Sequence, residues 1–305
     1  MKKRRHHYVW RNYLRSWADN EQIWCVRDEK VFPTNLMNIG QERDFYRLND
    51  LTHQDTYFLK LLINQHPNKM IRELNQGWVD LFTAVFKIRD QVNTLGISND
   101  EFEAEIEKQV INLGEDCHCA IEEGAIRFLD GLLASGTNFI TDEDNVVEFI
   151  HYLCVQYFRT KKMKEKVASA VSGLGLLDTD KVWNILSHVF STSVAWTIYD
   201  ERSEWSLVIL ENHTQSPFIT CDQPIVNIFA AFGRQINGHD ELELYYPLSP
   251  EKAILLTKKV EYKGMSSKAL DEAEASSYND IMIDMSHEQI YSAYQEQLVN
   301  LVQKT

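Results

Sequence analysis

Glycine and proline are scarce in this sequence, with 12 Gly and 6 Pro in 305 residues. Both residues favour turns, so their scarcity favours helices over a turn-rich β architecture. No apolar run approaches the ~20 residues that a membrane-spanning helix needs. The basic N-terminus is not followed by the apolar segment of a secretory signal. We therefore expect a cytoplasmic protein with no membrane partner.

Cysteine motifs and cofactor motifs are also missing. The five cysteines are odd in number and scattered, and Cys117-His118-Cys119 lacks both the usual CxxC spacing and a second pair for zinc. We expect reduced thiols. The sequence contains no GxGxxG, P-loop, HExxH or GxSxG motif, which disfavours nucleotide-cofactor enzymes, kinases, zincins and α/β-hydrolases. We expect no nicotinamide, flavin or haem.

Charge is unevenly distributed along the chain. The net charge of −14 argues against general adhesion to nucleic acid. Residues 1–30 nevertheless carry eight Lys/Arg against four Asp/Glu, whereas residues 98–123 carry nine acidic residues against one Lys. The basic N-terminal segment is a candidate site for a nucleic acid or nucleotide, and the acidic stretch 98–123 is a candidate surface for a protein partner.

The periodicity of apolar residues predicts an α+β fold in a single domain, 1–305. A hairpin is expected over 22–33 and strands over 203–265, with a helical insertion over 51–200 and a C-terminal helix over 266–305. Ser98 and either Asp142 or Asp144 are expected to begin helices, and Gly173-Leu174-Gly175 breaks the helical pattern. We expect the strands of both ends to share one antiparallel sheet. The clearest helix has one apolar stripe spaced by threes and fours: Ile71, Leu74, Trp78, Leu81, Val85, Ile88, Val92 and Leu95.

The N-terminal segment contains the first candidate site. His6 and His7 follow four cations, and adjacent residues of a strand point to opposite faces, so one histidine is expected to face a site. Imidazole transfers protons near neutral pH, which makes His7 a candidate general base or acid. Tyr8 and Arg11 are candidate substrate-binding residues with His6. The alternative is one core histidine and one surface histidine.

Polar side chains elsewhere provide further candidates. Glu42 and Asp44 share one loop and are candidate ligands of Mg²⁺ or Mn²⁺, or solvated turn residues. Gln156 and Arg159 form a stripe with Tyr152 beside the apolar face of the predicted helix 142–159. Arg159 is a candidate for stabilising negative charge and Gln156 for binding substrate, while a structural ion pair is the alternative for Arg159.

Asp222 lies where an apolar strand ends, within Thr220-Cys221-Asp222-Gln223-Pro224. A carboxylate held there by a sheet suits a metal ligand or a general base. The alternative is a side chain that caps the turn before Pro224. Asn279 is a further candidate substrate-binding residue in the last predicted helix.

Several of these blocks resemble a bacterial family of uncharacterised domains. Its members open with His-Tyr-Val-Pro-Gln-x-Tyr-Leu-Arg-x-Phe, and this chain has His7-Tyr8-Val9 followed by Tyr13-Leu14-Arg15. Trp10-Arg11 stands in place of Pro-Gln, and Trp17 in place of Phe. Later blocks of the family resemble, in the same order, Glu42 to Tyr46, Gln156 to Thr160, Ile219 to Pro224, Pro247 to Pro250, and Asn279. The resemblance implies positions of interest but no reaction.

Two functional hypotheses follow from the sequence. The first is a hydrolase of phosphodiester or nucleotide substrates, such as a nuclease-type toxin or phage-defence effector. It would use His7 for proton transfer, Arg159 for charge stabilisation, and Asp222 with Glu42 or Asp44 for a divalent cation. The second is a non-enzymatic interaction or regulatory protein, in which the polar blocks are buried structural anchors.

Overall fold

Helices form most of the chain between residues 53 and 200. The computed structural model of the protein describes residues 1–172, 178–234 and 241–304. None of the helices in these ranges is both long and apolar enough to cross a membrane. The helices are α1 (Arg11–Leu14), α2 (His53–Asn64), α3 (Lys69–Thr94), α4 (Asp100–Leu133), α5 (Glu143–Phe158), α6 (Lys161–Ser172), α7 (Thr179–Asp200), α8 (Glu272–Asp284) and α9 (Gln295–Lys304).

Polar side chains cap the N-termini of the long helices. Asp142 accepts a hydrogen bond of 2.9 Å from the backbone N–H of Asn145 and begins α5 as predicted. The predicted cap at Ser98 is wrong, because Asn99 accepts from the backbone N–H of Phe102 and begins α4. The Ser98 hydroxyl instead donates to Glu103. The predicted break at 173–175 lies outside the described residues.

The described strands form three sheets. A two-stranded ribbon contains β1 and β4, a five-stranded sheet has the order β10-β5-β9-β8-β7, and a four-stranded sheet has the order β3-β2-β11-β6. Neighbouring strands are antiparallel, except for the parallel pair β10 and β5. The strands are β1 (Arg5–His7), β2 (Gln22–Arg27), β3 (Lys30–Asn35), β4 (Gln41–Arg43), β5 (Ser206–Glu211), β6 (Thr220–Cys221), β7 (Val226–Asn227), β8 (Leu244–Ser249), β9 (Lys252–Thr257), β10 (Ser267–Ala269) and β11 (Ile290–Ser292).

The pairing confirms the α+β class and corrects its details. Strands from both ends of the chain share the four-stranded sheet, since β11 pairs with β2 and with β6. The expectation of one sheet for both strand regions is wrong, because β5, β8 and β9 lie in a separate sheet. The His6-His7 strand also belongs to neither large sheet, since β1 pairs with β4.

The periodicity of the C-terminal segment 266–303 predicted a single helix, and this prediction is wrong. It contains β10, α8, β11 and α9. The turn between α8 and β11 is bound by the distant side chain of Asp222, a contact that local periodicity cannot reveal. The predicted hairpin is confirmed as β2 and β3, with Asp28 and Glu29 in the left-handed region that such tight turns require (φ 52° and 58°).

The N-terminal segment lies beside the C-terminal strands, as predicted. The Tyr13 hydroxyl is 2.6 Å from the Thr220 hydroxyl, and the Trp17 indole donates to the Phe218 carbonyl at 2.9 Å. On the other side, a Cβ at Gly114 would lie 2.7 Å from the Tyr46 carbonyl oxygen, so only glycine allows α4 to approach so closely. One cluster of buried apolar side chains joins these regions, while the single-domain boundary remains a prediction.

Candidate functional site

A cleft rich in arginine lies on the two-stranded ribbon of β1 and β4. The register places Arg5 opposite Arg43 and His7 opposite Gln41. Because side chains alternate between the two faces of a strand, these four residues share one face. The cleft has a volume of about 560 Å³ and is lined by Arg4, Arg5, Gln41, Glu42 and Arg43.

The charges of this cleft are unbalanced. Arg5 and Arg43 lie directly opposite each other, and like charges in such positions repel. Arg4 donates to Asp44 at 3.2 Å, and Arg43 lies 3.8 Å from the same carboxylate. Glu42 lies 3.7 Å from Lys161. The excess of positive charge suits an anionic group.

His6 is fully buried and both of its ring nitrogens are used. Its Nε2 lies 2.6 Å from the Lys3 carbonyl oxygen, and its Nδ1 accepts a hydrogen bond of 2.7 Å from the backbone N–H of Tyr46. These contacts fix one neutral tautomer, and burial lowers the pKa of His6. His6 therefore orders the segment, and its substrate-binding role remains a prediction.

Of the two adjacent histidines, His7 is the one with an unused ring nitrogen. Its Nε2 is buried and makes no hydrogen bond of acceptable geometry with any described residue. Burial, together with the guanidinium groups of Arg11, Arg159 and Arg5, lowers the pKa of His7 to about 4, while the Met37 carbonyl opposes the shift. At neutral pH the ring is therefore an uncharged imidazole among cations.

Arg159 is 1% exposed and anchors the segment that contains His7. Its Nε donates to the Tyr46 hydroxyl at 2.8 Å, and its two terminal nitrogens donate to the Glu122 carboxylate and to the His7 carbonyl. Gln156 donates to the same carboxylate at 3.4 Å. Burial raises the pKa of Glu122 to about 7, although the Arg159 guanidinium opposes the shift. All three guanidinium nitrogens thus have partners inside the protein.

Helix α4 contributes residues that sequence reasoning missed. Glu115, His118, Cys119 and Glu122 recur at i, i+3, i+4 and i+7, which places them on one helix face. Burial raises the pKa of Glu115, the Arg159 guanidinium and the His7 backbone N–H oppose the shift, and Glu115 Oε2 is buried without a partner in the described ranges. Two of the acidic residues assigned to a partner surface therefore point inward. Their polar i, i+3, i+4, i+7 spacing was the available signal.

Arg11 and Tyr8 flank this cluster. Arg11 donates to Glu21 at 2.9 Å through Nη2, while its buried Nε has no hydrogen-bond partner among the described atoms. The Tyr8 hydroxyl accepts from Gln289 at 3.3 Å and is buried. We use the name Arg159 cluster for His7, Arg11, Glu115, Glu122 and Arg159.

Asp222 lies in a different environment and is 1% exposed. Its Oδ1 accepts from the backbone N–H of His287 at 2.8 Å, and its Oδ2 accepts from Glu288 at 2.7 Å and Gln289 at 3.0 Å. Burial raises the pKa of Asp222, and these hydrogen bonds oppose the shift. The carboxylate thus holds the turn between α8 and β11, which we call the Asp222 turn.

Asn279 is likewise bound to the backbone. Its side-chain oxygen accepts from the Ile219 N–H at 3.0 Å, and its amide nitrogen donates to the Pro217 carbonyl at 2.9 Å. These contacts fix α8 against the segment that leads into β6. Its predicted contact with substrate remains untested.

The structure brings together His7, Arg11, Gln156 and Arg159, whereas the predicted metal ligands belong to different elements. Glu42 lies in β4 of the ribbon, Asp44 follows β4, and Asp222 binds the Asp222 turn. Within the described ranges, no group of three or more His, Cys, Asp and Glu side chains is arranged to hold a metal ion. A bound Mg²⁺ or Mn²⁺ therefore remains a prediction.

A row of neighbouring rings, one tilted pair followed by two stacked pairs, extends from beside the Arg159 cluster into the helical core. Ring centroids lie 4.3 Å apart for Tyr46 and His118, 4.9 Å for His118 and His188, and 4.2 Å for His188 and Trp78. Both nitrogens of His188 are buried and lack hydrogen bonds to the described residues. Burial lowers the pKa of His188 to about 3 and that of His118 well below its usual value.

Comparison with known proteins supports the predicted relationship. No curated protein and no solved structure matches the chain. The profile of one family, described as "Protein of unknown function (DUF4238)", matches residues 5–296. This range includes the ribbon, the Arg159 cluster and the Asp222 turn. The chain therefore belongs to this family, which confirms its expected membership of an uncharacterised family.

Proposed function

We propose that this protein is a hydrolase of phosphodiester or nucleotide substrates, with His7 as the group that transfers protons. The observation that carries the proposal is the buried Nε2 of His7, which has no hydrogen bond in the described part of the chain. A buried polar atom without a partner costs about 1–3 kcal/mol. Such an atom needs an explanation, and a bound or reacting ligand is one.

The ribbon cleft would hold the phosphate. Arg5 and Arg43 offer guanidinium groups, whose planar donors match phosphate oxygens. A bound anion near His7 favours the imidazolium form and would raise the lowered pKa of this residue toward neutrality. His7 would then take a proton from the attacking water and return it to the leaving oxygen as the P–O bond breaks.

The other residues would support this step. Arg159 donates to the His7 carbonyl and so positions His7, rather than contacting the phosphate through a free nitrogen. Glu42 and Asp44 are the carboxylates proposed for Mg²⁺ or Mn²⁺, which would neutralise phosphate charge. Asp222, the third predicted ligand, instead accepts three backbone N–H groups. The proposed role is that of a nuclease-type toxin or phage-defence effector in the cytoplasm. The five free thiols fit a reducing compartment.

Turnover assays test the proposal. RNA, DNA and nucleotides are incubated with the protein in Mg²⁺, in Mn²⁺ and in chelator, and the products are separated. We expect His7→Ala to lower turnover at least 100-fold, and Arg5→Ala with Arg43→Ala to raise KM. His213→Ala, at an exposed histidine, is the matched control. Equal activity of wild type and His7→Ala would refute the proposed role of His7. The absence of turnover of any substrate would refute the proposed hydrolase function.

A second candidate is a non-enzymatic interaction protein. It is favoured by the Asp222 turn, in which three backbone N–H groups occupy a carboxylate that catalysis would need free. The partner surface would be the exposed acidic residues of α4, which include Asp100, Glu101, Glu103 and Glu105.

Stability separates the two candidates. If His7→Ala and Asp222→Ala each lower the free energy of unfolding by several kcal/mol, the anchoring role gains support. If His7→Ala leaves stability unchanged, the catalytic role gains support. Urea denaturation of both variants gives the measurement.

A further inference from the structure

Helix α3 exposes half of the apolar stripe that its sequence predicts. Ile71 and Val85 are buried at 2% and 7% exposure. The alternate members recur every seven residues and remain exposed: Leu74 at 51%, Leu81 at 40%, Ile88 at 49% and Leu95 at 71%. A seven-residue repeat of large apolar residues on one helix face is the pattern of a helix that packs on another helix.

Small residues complete this exposed seam. Gly77 and Ala84 lie between the large residues at spacings of three and four, as in a coiled-coil repeat. Apart from the local backbone of α3 and its chain neighbours, no atom of the described residues would lie within 4 Å of a Cβ at Gly77, so the position is an open depression on the helix surface. The seam therefore alternates projections and depressions.

An apolar groove of about 840 Å³ adjoins the seam. Leu74 and Leu81 form one wall, Val147 of α5 forms another, and Trp196 of α7 contributes to the lining. Val147 is 46% exposed, so the groove is open to a large ligand. An amphipathic helix is the shape that lies in such a groove.

We propose that a second copy of this chain covers the seam, with the two α3 helices antiparallel about a two-fold axis near residues 82 and 83. In this register Leu81 packs on Ala84 of the second copy, and Ile88 enters the depression at Gly77 of the second copy. Leu81 and Ile88, the two large residues nearest the axis, thus each meet a small residue. The two-fold axis repeats each contact, so the surface is self-complementary.

The charges beside the seam fit the same register. Asp80 and Lys87 lie on one flank, are both more than 60% exposed, and are 3.5 Å apart within one chain. Antiparallel helices place Asp80 of one copy beside Lys87 of the other, twice by symmetry. The α3 sequence also carries four Lys/Arg against three Asp/Glu, a local +1, whereas the whole chain is at −14. The strongly acidic charge of the whole chain is therefore not concentrated at this face, so repulsion between copies is low there.

The oligomeric state tests the interface independently of any activity. Sedimentation and light scattering of the full chain should show a dimer at micromolar concentration. Leu81→Glu should raise the dimer dissociation constant at least 100-fold, with unchanged circular dichroism. Ile126→Glu changes a residue of α4 that is 37% exposed and should leave the dimer intact. A dimer insensitive to Leu81→Glu, or a monomer at every concentration, would overturn the proposal. The exposed seam would then require a different binding partner.

Charge reversal tests the register. Asp80→Lys and Lys87→Asp should each weaken the dimer about tenfold, because each places like charges together across the axis. The double variant should restore the wild-type dissociation constant. Additive weakening in the double variant would contradict the antiparallel arrangement.

Discussion

The Arg159 cluster and the Asp222 turn both bury charged side chains, but they differ in how far those charges are satisfied. Asp222 receives three backbone N–H groups. The Arg159 cluster pairs its central guanidinium fully, yet His7 Nε2, Arg11 Nε and Glu115 Oε2 lack hydrogen bonds within the described ranges. A buried charge with all of its hydrogen bonds made has a structural explanation. Several buried polar atoms without hydrogen bonds in one place need another explanation, and a bound ligand is one. The comparison therefore gives the turn an anchoring role and makes the cluster the place of the proposed chemistry.

Arg159→Leu should have the largest effect on stability. It leaves the Glu122 carboxylate buried without its cation, and breaking such a pair costs about 3–5 kcal/mol. Urea denaturation gives the free energy of unfolding. Adding Glu122→Leu should recover most of the loss, because no unpaired charge then remains. A loss below about 1 kcal/mol in the single variant would show that the pair does not hold the cluster.

Asp222→Ala should destabilise the protein by about 2–3 kcal/mol, because three backbone N–H groups lose their acceptor. Asp222→Asn retains one oxygen acceptor and should lose about half as much. Hydrogen exchange should locate the loss of protection at residues 287–289. Unchanged protection there would contradict the anchoring role.

Lowering the pH should destabilise the core behind the Arg159 cluster. The folded pKa of His188 is lowered to about 3, below the unfolded value near 6.5, so the unfolded state binds protons first as the pH falls. Stability is therefore present above pH 6.5 and should fall by about 2 kcal/mol for this residue between pH 6.5 and pH 5. His188→Phe keeps a ring between Trp78 and His118 and should make the dependence on pH shallower. An identical dependence in wild type and variant would exclude His188 as its source.

His7→Gln should have the smallest effect on stability, within about 0.5 kcal/mol, because the wild-type Nε2 has no hydrogen bond to lose among the described residues. The same variant should lower nucleotide turnover by about 100-fold, whereas calorimetry should show little change in nucleotide affinity. His6→Gln is the matched neighbour and should destabilise the protein, since His6 bonds Lys3 and Tyr46. Similar losses of stability in the two variants would remove the distinction between them.

Local sequence patterns predicted the elements whose cause is local. Asp142 begins α5 because its side chain reaches the N–H three residues on, and Asp28-Glu29 joins a hairpin because its flanking strands are adjacent in sequence. The C-terminal segment was mispredicted as one helix because Asp222, a distant residue, holds its central turn. At the site, His7 and Arg159 were identified by residue type. Glu122 was missed because its partner is on another helix.

The sequence by itself determined the α+β class, the family, and the residues that bear charge and imidazole at the N-terminus. Only the tertiary structure decided which of them have partners. His6 and His7 are adjacent and chemically identical, yet one has both ring nitrogens bonded and the other has a buried Nε2 without a described partner. The same holds for α3, whose single apolar stripe is divided between core and surface. Partners and burial depend on which elements meet in space, and contacts between residues distant in sequence decide that.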